Sequence, residues 1–309
     1  MRVRLQIAPL TAFATELLGE TIFGQLCWAI RWRQSESRLK SLLEGYSKGQ
    51  PFAVVSDAFP TGYLPLPVLP SSYWEQDDTS DRKELKSRQW IDVEVAKKLP
   101  LAQWQRYALK NSDINHAHRT KTIEIKNSIK RITGTTGEGQ FAPFMAERIW
   151  FDVGCLFDVY VVLDDNRFSV EELQSAFEWM GKTGFGADAS VGMGKFMVTE
   201  CARLPDEPES DAWMTLASCS PMDQTFDSEK SFYRIKTHFG RHGDQLATAG
   251  NPFKKPIVLA QRGAVFTGNG TATYQFIGRG LNGVSYIQAD CVHQGYAPTV
   301  ALQIPQFNG

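Results

Sequence analysis

The sequence predicts an α+β protein built from two units. Three observations predict it. The opening segment alternates strictly between apolar and polar residues. Residues 1–204 then run strand, helix, strand, long insertion, strand, helix, strand, and the remainder is β-rich with little helical pattern. The chain has 309 residues, 42% apolar and 22% charged, enough for two cores of ordinary size.

Val3, Leu5 and Ile7 face one way and Arg2, Arg4 and Gln6 the other, the period of a half-buried strand. Residues 20–33 place Ile22, Phe23, Leu26, Ala29 and Ile30 at helical spacing, with arginines near the end that complement the helix dipole. Phe52 to Val55 predicts the second strand, which ends in Ser56-Asp57-Ala58-Phe59-Pro60. Pro65, Pro67 and Pro70 then forbid regular pairing and open a long excursion. Cys155 to Leu163 is rich in β-branched residues and predicts the third strand. Ser169 and Glu172 have the spacing of a capping box, and Leu173, Ala176, Phe177 and Met180 share one face of the helix it opens. A glycine-rich loop, Gly184 to Gly194, leads to a fourth strand at Lys195 to Thr199.

This β-α-β-β-α-β order is the ferredoxin-like, or RNA-recognition-motif, arrangement. Residues at about 58–150 are inserted between its second and third strands, far longer than an ordinary loop. Between Glu200 and Glu229 eight acids stand against one base, with Pro205 and Pro208 among them, which predicts a linker and a boundary near 205. The units are therefore 1–204 and 205–309. Apolar runs at 213–217, 231–235, 257–266, 274–277 and 299–304 make the second unit β-rich.

Lysine plus arginine is 33 and aspartate plus glutamate 34, so the formal charge of −1 excludes a bulk polycation. The charge is nonetheless segregated. From Lys97 to Arg131 nine cations face only Asp113 and Glu124, and from Lys230 to Arg262 seven face Asp244 alone. Two such runs offset by an acidic stretch predict a polyanion site. Within the first, residues 119–133 alternate as one arm of a hairpin. A glycine-rich tip follows at 134–139, and Phe141, Phe144 and Ile149 suit the return arm. A projecting hairpin with basic edges can lie across a nucleic-acid strand.

The glycine loop resembles two nucleotide motifs and matches neither. Gly184-x-Gly186 has dinucleotide spacing but follows a helix and precedes a strand, the reverse of what a pyrophosphate site needs. Gly194-Lys195 ends like a P-loop, but Phe196 replaces the magnesium-binding hydroxyl and Ala189 the first glycine. The loop offers bare backbone N–H groups that can approach a phosphate or base. The five cysteines are scattered with no CxxC, which argues against a zinc ribbon or redox dithiol and for reduced thiols in a cytoplasmic protein. His116 and His118 lack a third ligand at useful spacing, so no metal or cofactor is expected. No signal peptide or membrane span is expected either.

Taken together, several segments are similar to the RAMP superfamily of CRISPR type III effector complexes. Within it they resemble the fifth Cas protein group, and most closely subunit four of the Csm (type III-A) complexes. The segments are Gly19-Glu-Thr-Ile-Phe-Gly24 at the helix entry, Ser56 to Pro60 followed by Leu64-Pro-Leu-Pro67, and Asn127-x-Ile129-x-Arg131-x-Thr133-Gly134. The glycine loop, Tyr233-Arg-x-Lys236, Gly263-Ala-Val-Phe266 and His293-Gln-Gly-Tyr-Ala297 complete the set. The resemblance implies two ferredoxin-like domains, the first carrying a thumb hairpin, and a non-catalytic subunit that binds the 5′ repeat-derived tag of a CRISPR RNA. It implies a large polymerase-like subunit and a backbone RAMP subunit as partners.

Carried onto this chain, the resemblance puts Asn127 and Arg131 at the thumb base, touching the RNA; Thr133 of the same motif and His118, Arg119 and Lys121 of the basic arm are further RNA-binding candidates. Ser56 and Phe59 would lie near the tag, and Gly184, Gly186, Gly192 and Gly194 along its path. Arg241, His242, Lys254 and Lys255 match the basic character of the second unit. The alternative, motivated by His116, His118 and His242, is a metal-independent endoribonuclease that processes the repeat RNA, with His118 or His242 as general base.

Overall fold

A computed structural model describes residues 1–75, 82–221, 226–247 and 251–304. In chain order the first part holds β1 (Arg2–Pro9), α1 (Gly19–Arg33), α2 (Glu36–Leu43) and β2 (Ala53–Pro60). The excursion contributes β3 (Tyr63–Pro65), α3 (Arg82–Ser87), β4 (Trp90–Asp92), α4 (Val93–Lys98), α5 (Trp104–Tyr107), β5 (Arg119–Lys126) and β6 (Phe144–Phe151). The chain then returns through β7 (Phe157–Leu163), α6 (Val170–Thr183) and β8 (Phe196–Leu204). The last part is β9 (Ser210–Thr215), β10 (Ile235–His238), β11 (Ile257–Ala260), β12 (Val265–Ala272), β13 (Phe276–Leu281) and β14 (His293–Leu302).

The first sheet is antiparallel in the order β2-β7-β1-β8, so the first and third strands of the β-α-β-β-α-β order lie at its centre. The alternation read for β1 is real: Val3, Leu5 and Ile7 are buried, and α1 and α6 cover that side. Both halves of the capping box form, with Ser169 N–H donating to Glu172 and Glu172 N–H to the Ser169 hydroxyl. The opposite face of the sheet, which an RNA-recognition motif leaves open, is covered. Trp90 of the β3–β4 ribbon packs on Phe59 at 6.0 Å, and Asp158 and Glu200 supply acids there against Arg4.

The second sheet runs β12-β9-β14-β13, and β10 and β11 form a separate ribbon. Here the expectation of a second ferredoxin-like unit is not met. Among the described residues from 205 onward there is no α-helix, and the strand order is different. The predicted 257–266 run divides into two strands at a turn where Gly263 adopts φ +80°, and residues 305–309 lie outside the description.

The halves share one core, in which Val54 and Val55 meet Met214, Leu216 and Tyr296. The joint depends on a bulge in β2. Register slips between Val55 and Ala58, so Ser56 and Asp57 stand opposite one residue of β7. Ser56 Oγ accepts the Tyr160 N–H and donates to the Asp57 carbonyl. The bulge turns Asp57 out of the ladder, where it accepts Gly19 N–H at 2.8 Å, at the N-terminus of α1, and pairs with Arg262 at 3.0 Å. Gln294, fully buried, bonds both the N–H and the C=O of Val55 at 2.8 Å. Lys236 reaches the buried Glu20 at 2.7 Å.

Candidate nucleic-acid interface

Residues 10–16 form the spine of the site. On one side Phe13 exchanges two backbone hydrogen bonds with Ile149 of β6, so the β5–β6 hairpin is docked onto this segment. On the other side the glycine loop closes against it: Gly194 N–H donates to the Ala12 carbonyl, Lys195 N–H to Thr11 Oγ1 and Ala187 N–H to Thr15 Oγ1. Phe13 packs among Phe151, Phe185 and Phe196, one aromatic from hairpin, loop and sheet in turn. Arg148 of the hairpin then reaches across to Asp188 of the loop at 2.6 Å. The two segments therefore share one end of the molecule.

The loop glycines divide by role. A Cβ on Gly194, at φ +72°, would sit 2.2 Å from the Phe185 carbonyl, and one on Gly186 2.5 Å from Thr15. Gly184, at φ +100°, closes α6 with a Cβ site 2.5 Å from the Met193 carbonyl. These three let the loop fold on itself and on the spine. Gly192, at φ +93°, would point a Cβ into open space, but its N–H is used within the loop, donating to the Ala189 carbonyl at 3.0 Å. Asp188, between them, is the one non-glycine residue among the described residues in the left-handed region, at φ 60°.

The basic arm is less free than its sequence suggests. Arg119 pairs with Glu16 at 2.9 Å, Lys121 bridges Glu16 and Glu147, and Lys126 pairs with Glu124. Partial burial favours protonation of Glu16, but the Lys121 hydrogen bond and the Arg119 and Lys121 charges outweigh it and hold its carboxyl below the usual range. Arg119 and Lys121 fix the hairpin base through Glu16. Asn127 and Arg131, expected at the thumb base, lie beyond the last strand pair and stand exposed with Lys130 and Thr133 at the tip, where Lys130 and Thr135 close a turn. Among the described residues no carboxylate pairs with Lys130, Arg131 or Lys195, so the unneutralised charge lies at the tip and beside the loop.

Several expected contacts fall elsewhere. Ser56 is fully buried in the β2 bulge, and Phe59 is fully buried between Trp90 and Tyr160. Neither side chain can touch a ligand at the surface; the motif they mark builds the joint. His242 is buried against Ser285 at 2.9 Å, so it too is structural. Arg241, Lys254 and Lys255 lie on the flank of α1, apart from the loop and hairpin. His118 is half-exposed with Nδ1 3.0 Å from Asp152, while His116 bonds the Thr61 carbonyl. Sequence reasoning passed over Thr15, Glu16, Arg148 and Asp188, and also Arg262, which stacks on Trp90 at 5.5 Å in a small cleft beside Glu16 and Arg119. A hydroxyl and two acids just before a helix and inside a glycine loop were the signals available. Among the described residues no group of three or more His, Cys, Asp or Glu side chains could hold a metal ion, and no helix is long and apolar enough to cross a membrane.

No protein-family model and no curated protein matches the chain. The fold itself defines a class: an α+β protein with a β-α-β-β-α-β sheet, an inserted hairpin and a glycine loop before the last strand of that sheet. Solved structures match it over its whole length. A chain of the Csm3–Csm4 subcomplex of the type III-A CRISPR-Cas interference complex covers 98% of this chain and 100% of its own, at 13% identity and a TM-score of 0.63. A chain of the Csm1–Csm4 cassette in complex with cA4 covers 99% and 100%, at 15% identity and 0.61. Another, from the same cassette with pppApA, covers 99% of each at 15% identity and 0.59. Csm4 is the component common to both assemblies, and this chain has the fold of a Csm4-like RAMP protein.

Proposed function

We propose that this chain is a non-catalytic subunit of a type III-A CRISPR RNA-guided effector complex. It binds the 5′ repeat-derived tag of the CRISPR RNA, and it contacts the large polymerase-like subunit and the backbone RAMP subunit. The observation that carries the reading is the meeting of hairpin and glycine loop on residues 10–16. There the hairpin base docks against the loop, the hairpin tip beyond it carries the exposed Lys130 and Arg131, and the loop side carries the exposed Lys195. A fixed RNA end needs cations and N–H groups for phosphates, with a few polar groups for splayed bases, and Asn127 and Thr133 supply the latter. The full-length likeness to Csm4-containing assemblies supports the choice of complex and of partners.

Co-expression with the other chains of its complex tests this. The purified assembly should carry a short RNA of uniform 5′ end, and Arg131→Ala should lower RNA retention and flatten the salt dependence by about one phosphate contact. Normal RNA content in the variant complex would contradict it. The His118–Asp152 pair favours one alternative, a metal-independent endoribonuclease with His118 as base. Specific cutting of labelled repeat RNA in EDTA, lost in His118→Ala, would establish that enzyme instead.

A further inference from the structure

A second surface, on the flank of α1, carries the chemistry of nucleic-acid binding without belonging to the hairpin site. Three cations lie over aromatic rings there: Arg31 over Trp28 at 5.1 Å, Arg241 over Phe253 at 5.8 Å and Lys255 over Tyr286 at 5.6 Å. They are held together by the fold. Gly243 sits directly on the Trp28 indole, where a Cβ would lie 2.7 Å from Nε1. His242 ties that loop to Ser285, and Lys255 N–H donates to the Val284 carbonyl. Trp32, one turn beyond Trp28, is 60% exposed, and Phe253 and Tyr286 are 52% and 62% exposed. Trp28 lies about 14 Å along α1 from Gly19, on the way to the end of the helix at Arg33.

We propose that Trp32, Arg241, Phe253, Lys255 and Tyr286 form a stacking platform for single-stranded RNA, separate from the hairpin and glycine loop. Charge selects the occupant. Of the seven cations between Lys230 and Arg262, Lys230, Lys236 and Arg262 pair with Asp227, Glu20 and Asp57, while among the described residues no carboxylate pairs with Arg241, Lys254 or Lys255, a local excess that suits a polyanion. Exposed flat rings receive bases that are unstacked, so the strand is single. A guanidinium lying on a ring presents its outer plane to a base and its N–H groups to the next phosphate. The histidine and serine beneath the loop, both buried, set its position and touch no RNA.

Binding of the full chain to a short fluorescein-labelled oligouridine, followed by anisotropy across a salt series, tests the proposal. Trp32→Ala combined with Arg241→Ala should weaken binding about tenfold or more and reduce the salt slope, with Trp32→Phe restoring most of the loss. Each substitution is at the surface, and an unchanged melting curve confirms the fold. Lys130→Ala with Arg131→Ala should leave this component in place, so the platform and the tag site fail or stand separately. Wild-type oligouridine binding in the platform variant would overturn the proposal. So would protection of Trp32 and Phe253 by a protein chain, and not by RNA, when the assembled complex is chemically labelled.

Discussion

Arg148 Nη2 lies 2.6 Å from Asp188 Oδ2, joining a hairpin strand to the glycine loop forty residues later. The two ends of this bond differ in exposure. The Arg148 side chain is 2% exposed and that of Asp188 46%, so the arginine is fixed within the hairpin base and the aspartate is drawn to it. Asp188 holds a left-handed backbone to make the contact. The relation ties the hairpin base to the loop.

Arg148→Met keeps most of the side-chain bulk and removes the charge-assisted bonds. The expected cost is about 2 kcal/mol in urea unfolding, with faster proteolysis of the hairpin in the native state. Unchanged stability together with unchanged hairpin protection would show that Phe13 and its aromatic neighbours alone hold the hairpin base to the loop.

The glycines of the loop should separate by substitution. Gly194→Ala forces a Cβ to within 2.2 Å of the Phe185 carbonyl in addition to the left-handed backbone, and should cost more than the 1–2 kcal/mol of the backbone conformation alone, roughly 3 kcal/mol. Gly192→Ala bears only the conformational cost, because its Cβ meets open space. Equal melting temperatures for the two variants would contradict this division.

Gln294 should be the most sensitive polar residue of the joint. Gln294→Leu fills a similar volume but leaves the Val55 N–H and C=O unpaired in the core, an expected loss of about 2–4 kcal/mol. A double-mutant cycle with Asp57→Asn reads how far the bulge and the second half act as one unit.

Acid should loosen the same joint. Burial, helped by the Lys236 and Lys254 charges, holds His238 down to about 4. Burial, then the His238, Lys254 and Lys236 charges, holds His293 to about 3. In the unfolded chain both take a proton near about 6.5. Between that value and the folded ones the unfolded state binds more protons, so the stability these groups contribute is complete above about 6.5 and is lost as pH falls. Asp57 has the opposite sign. Burial raises its carboxyl despite Arg262, so its contribution is lost as pH rises through the raised value. Thermal unfolding between about pH 7 and about pH 5 should therefore show falling midpoints, and His293→Gln should make the slope shallower. An identical slope in the variant would place the titration elsewhere.

Local chemistry made much of the first unit legible. The period of β1, the face of α1 and the Ser169–Glu172 box depend on neighbours within a few residues, and each is present. The hairpin was also readable, although β5 ends at Lys126, short of the predicted arm. What the sequence concealed was long-range. Ser56 and Phe59 form a conspicuous motif, but only the register of β2 against β7 reveals a bulge that buries them. Lys236 and Arg262 raise the basic count of the second run while pairing with Glu20 and Asp57 inside the joint. Arg148 sits in an ordinary strand pattern, and nothing nearby marks its partner forty residues away.

The proposal that most needs testing is that the hairpin and the glycine loop hold the RNA tag together. Photo-crosslinking in the assembled complex, with 4-thiouridine placed in the 5′ tag and the attached peptides mapped, tests it most directly. The account predicts crosslinks within residues 127–133 and 184–195, reduced together by Lys130→Ala with Arg131→Ala. Crosslinks confined to other chains, or to other parts of this one, would contradict it.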